Sequence, residues 1–336
     1  MFVRASRPLV SVAAAFAVTL AIVSSAAAQP APAGSAGVTT PNVAGVRFVR
    51  SITPGAIQGR PSLLGRIARA IVGRNAEPQM QQPYGVAVGP DRRVYVADTF
   101  GRAIHVYDLV KPGYSTIDVD GDSIIGVACA GDALFVTDSA SGRVMALNAR
   151  GRVQWTLGRA QGFERPAGIV AAGDRLYVVD TLRNRVVIVR TTGVVESAFG
   201  TRGSGPGQFN FPTNIARAAD GRLFVTDTMN FRVQAFDAEG KYLGAFGHLG
   251  DGTGDFSKPK GVAIDSAGHI YVVEGFNDVV QIFDQDGRLL FVFGGSGSAP
   301  GRLWLPTGIA IVNDMIYVSD SANRRVEMYE YVKGGQ

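Results

Sequence analysis

From residue 83 onward, apolar and polar positions alternate in short runs of five or six residues, separated by Gly- and Asp-containing turns. The clearest unit begins with Phe211-Pro212-Thr213-Asn214-Ile215-Ala216 and turns at Asp220-Gly221. It continues through Arg222-Leu223-Phe224-Val225-Thr226-Asp227, then Asn230 to Asp237, and ends with Tyr242-Leu243-Gly244-Ala245-Phe246-Gly247. Period-two alternation with β-branched and aromatic residues between tight turns predicts four strands per unit. An acid closes the second run of every unit, at Asp98, Asp138, Asp180, Asp227, Glu274 and Asp320, with intervals of 40, 42, 47, 47 and 46 residues. A period in the forties built from short strands marks a β-propeller. Each small sheet is apolar on both faces and hides them only by packing on its neighbours around an axis.

The expected fold is therefore all-β: a six-bladed β-propeller of four-stranded antiparallel blades over residues 83–331. The sixth unit is short of sequence, because after Arg325-Val326-Glu327-Met328-Tyr329 too little chain remains for a regular outer strand. Upstream, Val46-Arg47-Phe48-Val49-Arg50-Ser51-Ile52 alternates like a strand and has no blade of its own. This segment is predicted to close the ring as the outermost strand of the sixth blade, which leaves no long bare edge. Residues 46–82 thus hold the closing strand and one short amphipathic helix at 61–73, where Leu63, Ile67 and Ile71 share a face between Pro61 and Gly73. The helix is expected to pack on the ring rather than on a membrane surface.

Residues 1–28 read as a signal peptide: Arg4 and Arg7, an apolar stretch from Leu9 to Val23, then Ala26-Ala27-Ala28. The Pro/Ala/Gly/Ser-rich stretch 29–45 reads as a flexible linker, and 332–336 as a C-terminal tail. Export to the periplasm or beyond follows, with no transmembrane span in the mature chain. The net charge of +5 falls to +3 without Arg4 and Arg7. That small surplus, with export, argues against nucleic acid as a partner. The single Cys129 lies in a run resembling an inner strand and is expected to act as a small buried hydrophobe, with no disulfide framework.

The segment Gly207-Gln208-Phe209-Asn210-Phe211-Pro212-Thr213-Asn214-Ile215-Ala216, with Asp227-Thr228-Met229-Asn230-Phe231-Arg232-Val233-Gln234-Ala235-Phe236, resembles the NHL repeat. The resemblance covers all six units and is strongest in the third, fourth and sixth. It implies a β-propeller but leaves the activity open, because the family includes RNA- or protein-binding rings on ubiquitin ligases, sensor domains of bacterial kinases and a metal-dependent amidating lyase.

Two sets of residues recur at fixed offsets. Arg follows the closing acid by five residues in four units, pairing Asp138 with Arg143, Asp180 with Arg185, Asp227 with Arg232 and Asp320 with Arg325. Repetition around a ring is what architecture produces, so these are expected to be structural ion pairs. Glu274 lacks that partner and has Asp278 nearby, which makes the two acids weak candidates for a metal contact. Two residues after each acid, at a turn tip, stand Phe100, Ala140, Leu182, Met229, Phe276 and Ala322. The ring's pseudo-symmetry places these tips around one channel mouth, where Phe100, Leu182, Met229 and Phe276 are the candidate binding residues. Against that stands the alternative that they pack beneath the long connections carrying Phe209, Phe256 and Trp304.

The remaining motifs carry little chemistry. The Gly-rich connections lack the Lys-Ser/Thr ending of a phosphate loop, and Asp118–Asp122 lacks the Gly and Glu of a calcium loop, so at most a structural or adventitious divalent cation is expected there. His105, His248 and His269 occupy different layers of their units and are not expected to share a metal. The reading is a monomeric, non-enzymatic binding module or scaffold with no predicted cofactor, presenting loop tips to a protein or an extended extracellular ligand. The alternative is a metal-dependent enzyme of the lyase or lactonase type with its site in the channel.

Overall fold

The computed structural model describes residues 45–58 and 79–332. The leader, nearly all of the linker, the expected helix at 61–73 and the last four residues lie outside that range. Among the described residues, six four-stranded antiparallel sheets form the ring. Their innermost strands are Pro83–Val88, Ile124–Ala130, Pro166–Ala172, Pro212–Arg217, Pro259–Ile264 and Pro306–Val312. The first five blades each continue with three more strands in sequence order, moving outward.

The sixth blade departs in the expected way. Its outermost strand is Gly45–Ile52, which pairs antiparallel with Arg325–Val332 in a register that places Phe48 opposite Tyr329 and Ile52 opposite Val326. Phe48 meets the Tyr329 ring edge-on at 5.8 Å. The two ends of the described chain therefore share one sheet, and a single helical turn, Pro54–Gln58, follows the closing strand.

Six apolar clusters fill the space between blades, each built from two neighbours. Val96, Val94, Tyr317 and Val326 join the first and sixth blades, and Val225, Leu223, Val179 and Ile188 join the third and fourth. Burying one such aliphatic side chain is worth about 1.5–3 kcal/mol relative to leaving it exposed. The ring is therefore held mainly across these blade-to-blade seams.

Glycine sets how closely the inner strands approach. A Cβ on Gly126 would lie 2.3 Å from the Ala167 carbonyl oxygen, and one on Gly308 would lie 2.2 Å from that of Tyr84. Gly85, Gly168 and Gly261 hold the same place in their strands, and the fourth blade has Asn214 there. The channel within holds about 340 Å³ and is walled mainly by Gly, Ala, Val and Ile, with Tyr84, Asn214 and Arg217 among the lining. Cys129 lines it half-buried rather than fully buried, and burial pushes its thiol up to about 12, which keeps it protonated.

Candidate functional site

The six closing acids are fully buried and take up the backbone amides that lead into the inner strand of their own blade. Asp98 accepts from the amides of Gln81 (2.7 Å) and Gln82 (2.8 Å). Asp180 accepts from Arg165 (2.8 Å), Asp227 from Asn210 (2.6 Å) and Asp320 from Trp304 (2.7 Å). The following arginine completes four of them: Arg143 lies 3.2 Å from Asp138, Arg185 3.6 Å from Asp180, Arg232 2.9 Å from Asp227 and Arg325 2.8 Å from Asp320. Arg232 also donates to the carbonyls of Gly205 and Gln208, so one guanidinium ties the turn to the long connection. In the first blade His105 takes this role, 3.0 Å from Asp98, with its other ring nitrogen 2.8 Å from the Tyr114 hydroxyl.

A belt of hydroxyls stitches each blade to the next. The residue after the acid donates to the carbonyl that opens the neighbouring inner strand: Thr99 to Ile124, Ser139 to Pro166, Thr181 to Pro212, Thr228 to Pro259 and Ser321 to Pro83. The fifth blade has Gly275 at that position, so the belt is interrupted between the fifth and sixth blades.

The fifth blade departs in its acid as well. Glu274 is ringed by the Ser257 amide and hydroxyl and by the Lys258 amide (2.8 Å). Burial raises its pKa, outweighing those hydrogen bonds and the charge of Lys260. Asp278 accepts from the Ser296 hydroxyl at 2.7 Å and from the Leu305 amide at 2.7 Å. It sits in the left-handed backbone region, with φ of 56°, a conformation that Asp tolerates better than most residues. Asn184 plays the same part toward the Phe211 amide. Both acids, marked above as weak metal contacts, are thus engaged in fastening loops. Among the described residues no group of three or more His, Cys, Asp or Glu is placed to hold a metal ion. The histidines each face a separate carboxylate: His105 faces Asp98, His248 faces Asp255 and His269 faces Asp265.

The four tip residues stand in the open. Phe100 is 67% exposed, Phe276 61%, Met229 49% and Leu182 40%. The aromatics of the connections do not cover them, because Phe209 and Phe256 turn inward and are fully buried. Trp304 is different: it is exposed, and Leu303 fills the inward position three residues before the strand-opening proline. Phe211 and Leu305, just before the inner strands, add further exposed apolar surface at this end of the ring.

Inside that rim lies a basic cluster that sequence reasoning did not single out. Tyr84 and Lys260 are the second residues of their inner strands, in the first and fifth blades. The corresponding residues elsewhere are Ile125, Ala167, Thr213 and Thr307, so the two large polar side chains stand out when the repeats are aligned. The Lys260 ammonium lies 5.5 Å from the centre of the Tyr84 ring. Burial, then the neighbouring charge of Lys258, lowers its pKa to about 8, with Glu274 acting in the opposite direction. Burial raises Tyr84, and the charge of Arg165, from the third blade, partly offsets this. The Lys258 ammonium rests 4.4 Å over the Phe276 ring, which joins the basic centre to the apolar rim.

Fold and mouth together define the class: a six-bladed β-propeller with an apolar rim around a basic centre. A family model described as a 6-bladed β-propeller matches residues 214–281, and one described as outer membrane protein assembly factor BamB matches residues 68–208. No curated protein matches the chain. Among solved structures, virginiamycin B lyase from Staphylococcus aureus superposes with a TM-score of 0.57 at 14% identity, covering 76% of this chain and 96% of that one. A gluconolactonase from Xanthomonas campestris gives 0.58 at 17% identity, covering 75% and 87%. An auxiliary nutrient binding protein from Bacteroides thetaiotaomicron gives 0.60 at 14% identity, covering 77% and 71%. At such identities the likeness is one of fold, and the fold hosts enzymes and binding proteins alike.

Proposed function

We propose that the chain is an exported, NHL-type propeller that serves as a binding module or scaffold, a monomer offering the mouth face to a protein partner. The observation that carries this reading is the exposure of Phe100, Leu182, Met229 and Phe276 together at the end of the ring where the aromatics of the connections turn inward. None of the four belongs to the apolar clusters between blades, and a rim of this kind marks an interaction surface. The BamB description over residues 68–208 and the nutrient binding protein among the structural neighbours are in keeping with a binding role at the cell envelope. The lyase and the lactonase among the neighbours represent the enzymatic alternative, but a metal site finds no donor set among the described residues. Metal analysis of the purified protein separates the two readings, because a stoichiometric bound ion favours the enzyme.

The binding reading is tested by capture from an envelope fraction with the ring as bait, beside a variant carrying Phe100→Ser, Leu182→Ser, Met229→Ser and Phe276→Ser. The expected result is loss of the captured partner with cooperative melting retained. Capture of the same partner by the variant, or collapse of its fold, contradicts the reading.

A further inference from the structure

We infer that the basic centre of the mouth is a carboxylate site, and that the ligand held on this face is an extended peptide whose carboxylate enters between Arg165, Lys260 and Tyr84 while its apolar side chains rest on the rim. The inference rests on the binding reading above and names the chemistry of its ligand.

Three observations carry it. First, the cations there have no carboxylate partner within salt-bridge distance among the described residues. The repeat arginines Arg143, Arg185, Arg232 and Arg325 each face a buried acid, whereas Arg165, Lys258 and Lys260 form no ion pair. Second, Tyr84, Arg165 and Lys260 come from three different blades and are brought to one mouth only because the ring closes. The Lys260 ammonium of the fifth blade lies 5.5 Å from the centre of the Tyr84 ring of the first, and Arg165 stands immediately before the inner strand of the third blade, as Lys258 does before that of the fifth. Lys258 and Lys260 repel one another and Glu274 only partly offsets this, so a cluster of this kind persists at a cost that a bound anion relieves. Third, the shape suits a planar anion carried on a slim chain. A guanidinium takes a carboxylate through two parallel N–H groups, the tyrosine hydroxyl and the ammonium supply further donors, and the channel below is walled mainly by Gly, Ala, Val and Ile, with Asn214 and Arg217 among them. Around the site, Phe276 under Lys258, with Phe211 and Leu305 beside the strand starts, supplies apolar surface for flanking side chains.

Lys260 also has the local structure of a ligand-binding residue rather than a supporting one. A Cβ on Gly275 would lie 3.0 Å from its Cδ and Cε. The missing belt hydroxyl of the fifth blade therefore leaves the space through which the lysine stem passes.

A carboxylate can come from a chain end or from an acidic side chain, and the test separates these sources. The peptide Ala-Leu-Phe-Leu, labelled at its N-terminus with a fluorophore that has no net charge and no carboxylate, is titrated as its free acid, as its C-terminal amide, and as an amide with Asp replacing Phe, with fluorescence anisotropy as the readout. Wild type is expected to bind at least one acid-bearing peptide about tenfold or more tightly than the uncharged amide. Lys260→Met and Arg165→Met should each remove that preference, while Lys260→Arg keeps most of it. Inorganic phosphate is expected to compete only weakly. Equal affinity for all three peptides, no binding of either acid-bearing peptide, an undiminished preference in both Met variants, or displacement by phosphate at micromolar concentration overturns the inference. If the four-Ser rim variant loses its captured partner while the Met variants keep theirs, the carboxylate site falls and the binding reading stands. If all of these variants keep the partner, both fall.

Discussion

The fourth and fifth blades have the same four-stranded pairing and nearly the same spacing, and they differ where the mouth is built. In the fourth, Asp227 is locked by Arg232, Asn230 and Gln234, and Thr228 binds the next blade. In the fifth, Val279 replaces the arginine, Gly275 replaces the hydroxyl, and Lys258 and Lys260 bring unpaired charge to the channel mouth. The strand register is unchanged by these replacements. Interactions repeated around the ring hold the architecture, and the blade that gives them up is the one that contributes most to the proposed site.

The largest effect expected from breaking this contrast is at Arg232. Removing one member of a buried pair strands the other's charge, so Arg232→Ala should cost about 3–5 kcal/mol in urea unfolding, whereas Val279→Ala in the fifth blade should cost about 0.5–1.5 kcal/mol, as the loss of a few methyl groups does. Comparable losses at the two positions would remove the distinction between the blades. Next comes the inner wall. Gly261→Ala forces a Cβ to within 2.6 Å of the Thr307 carbonyl oxygen and should cost roughly 1–3 kcal/mol through overpacking. Asn214→Gly, which restores the residue found in the other blades, should be close to neutral in the same measurement.

A smaller change tests the hydroxyl belt. Thr228→Ala removes the bond to the Pro259 carbonyl and should cost about 1 kcal/mol. Gly275→Ser supplies the missing hydroxyl, so it should leave stability equal or slightly higher while displacing Lys260 and weakening peptide binding in the anisotropy assay. A rise in both would show that the gap in the belt is unrelated to the lysine.

Acid titration carries the contrast to the carboxylates, where two blades should respond in opposite directions. Burial works against the Asp98 carboxylate, but His105 and the amides of Gln81, Gln82 and Gly101 outweigh it and bring the group to about 2, below its ordinary 3.8. A depressed carboxylate stabilises the fold above the unfolded value, and that contribution is lost as pH falls from about 4 through 2. Glu274 is raised by burial, so its folded form takes up a proton more readily and its contribution to stability improves as pH falls through its folded value toward 4.5. Urea midpoints measured from pH 7 to pH 2 for Asp98→Asn and Glu274→Gln check both signs: the first variant should lose the fall between 4 and 2, and the second should lose the gain at higher pH.

Much of this architecture is legible in the sequence because it is written six times over. The closing acids, the turn glycines and the orphan strand around Phe48 each follow from a local pattern, and the short sixth unit forces the two chain ends into one sheet. The exposed tips were legible for the same reason, as a fixed offset from the acid. Trp304 was misplaced because the offset from its strand-opening proline differs by one residue from that of Phe209 and Phe256, which makes Leu303 the inward side chain. The basic mouth was hidden for a physical reason: Tyr84, Arg165 and Lys260 lie far apart in the chain and are joined only by closure of the ring. For Tyr84 and Lys260 the signal was present as a departure from the repeat, with bulk and charge in a column otherwise filled by Ile, Ala and Thr. Composition, with its modest net charge, carried no trace of it.

The separation of architecture from binding is tested most directly by the unfolding free energy of Lys260→Met at pH 7. Burial disfavours the Lys260 ammonium, and methionine keeps the stem while removing the charge, so the account predicts a variant at least as stable as wild type. A loss of about 1 kcal/mol or more would place Lys260 among the structural residues of the ring and contradict the account.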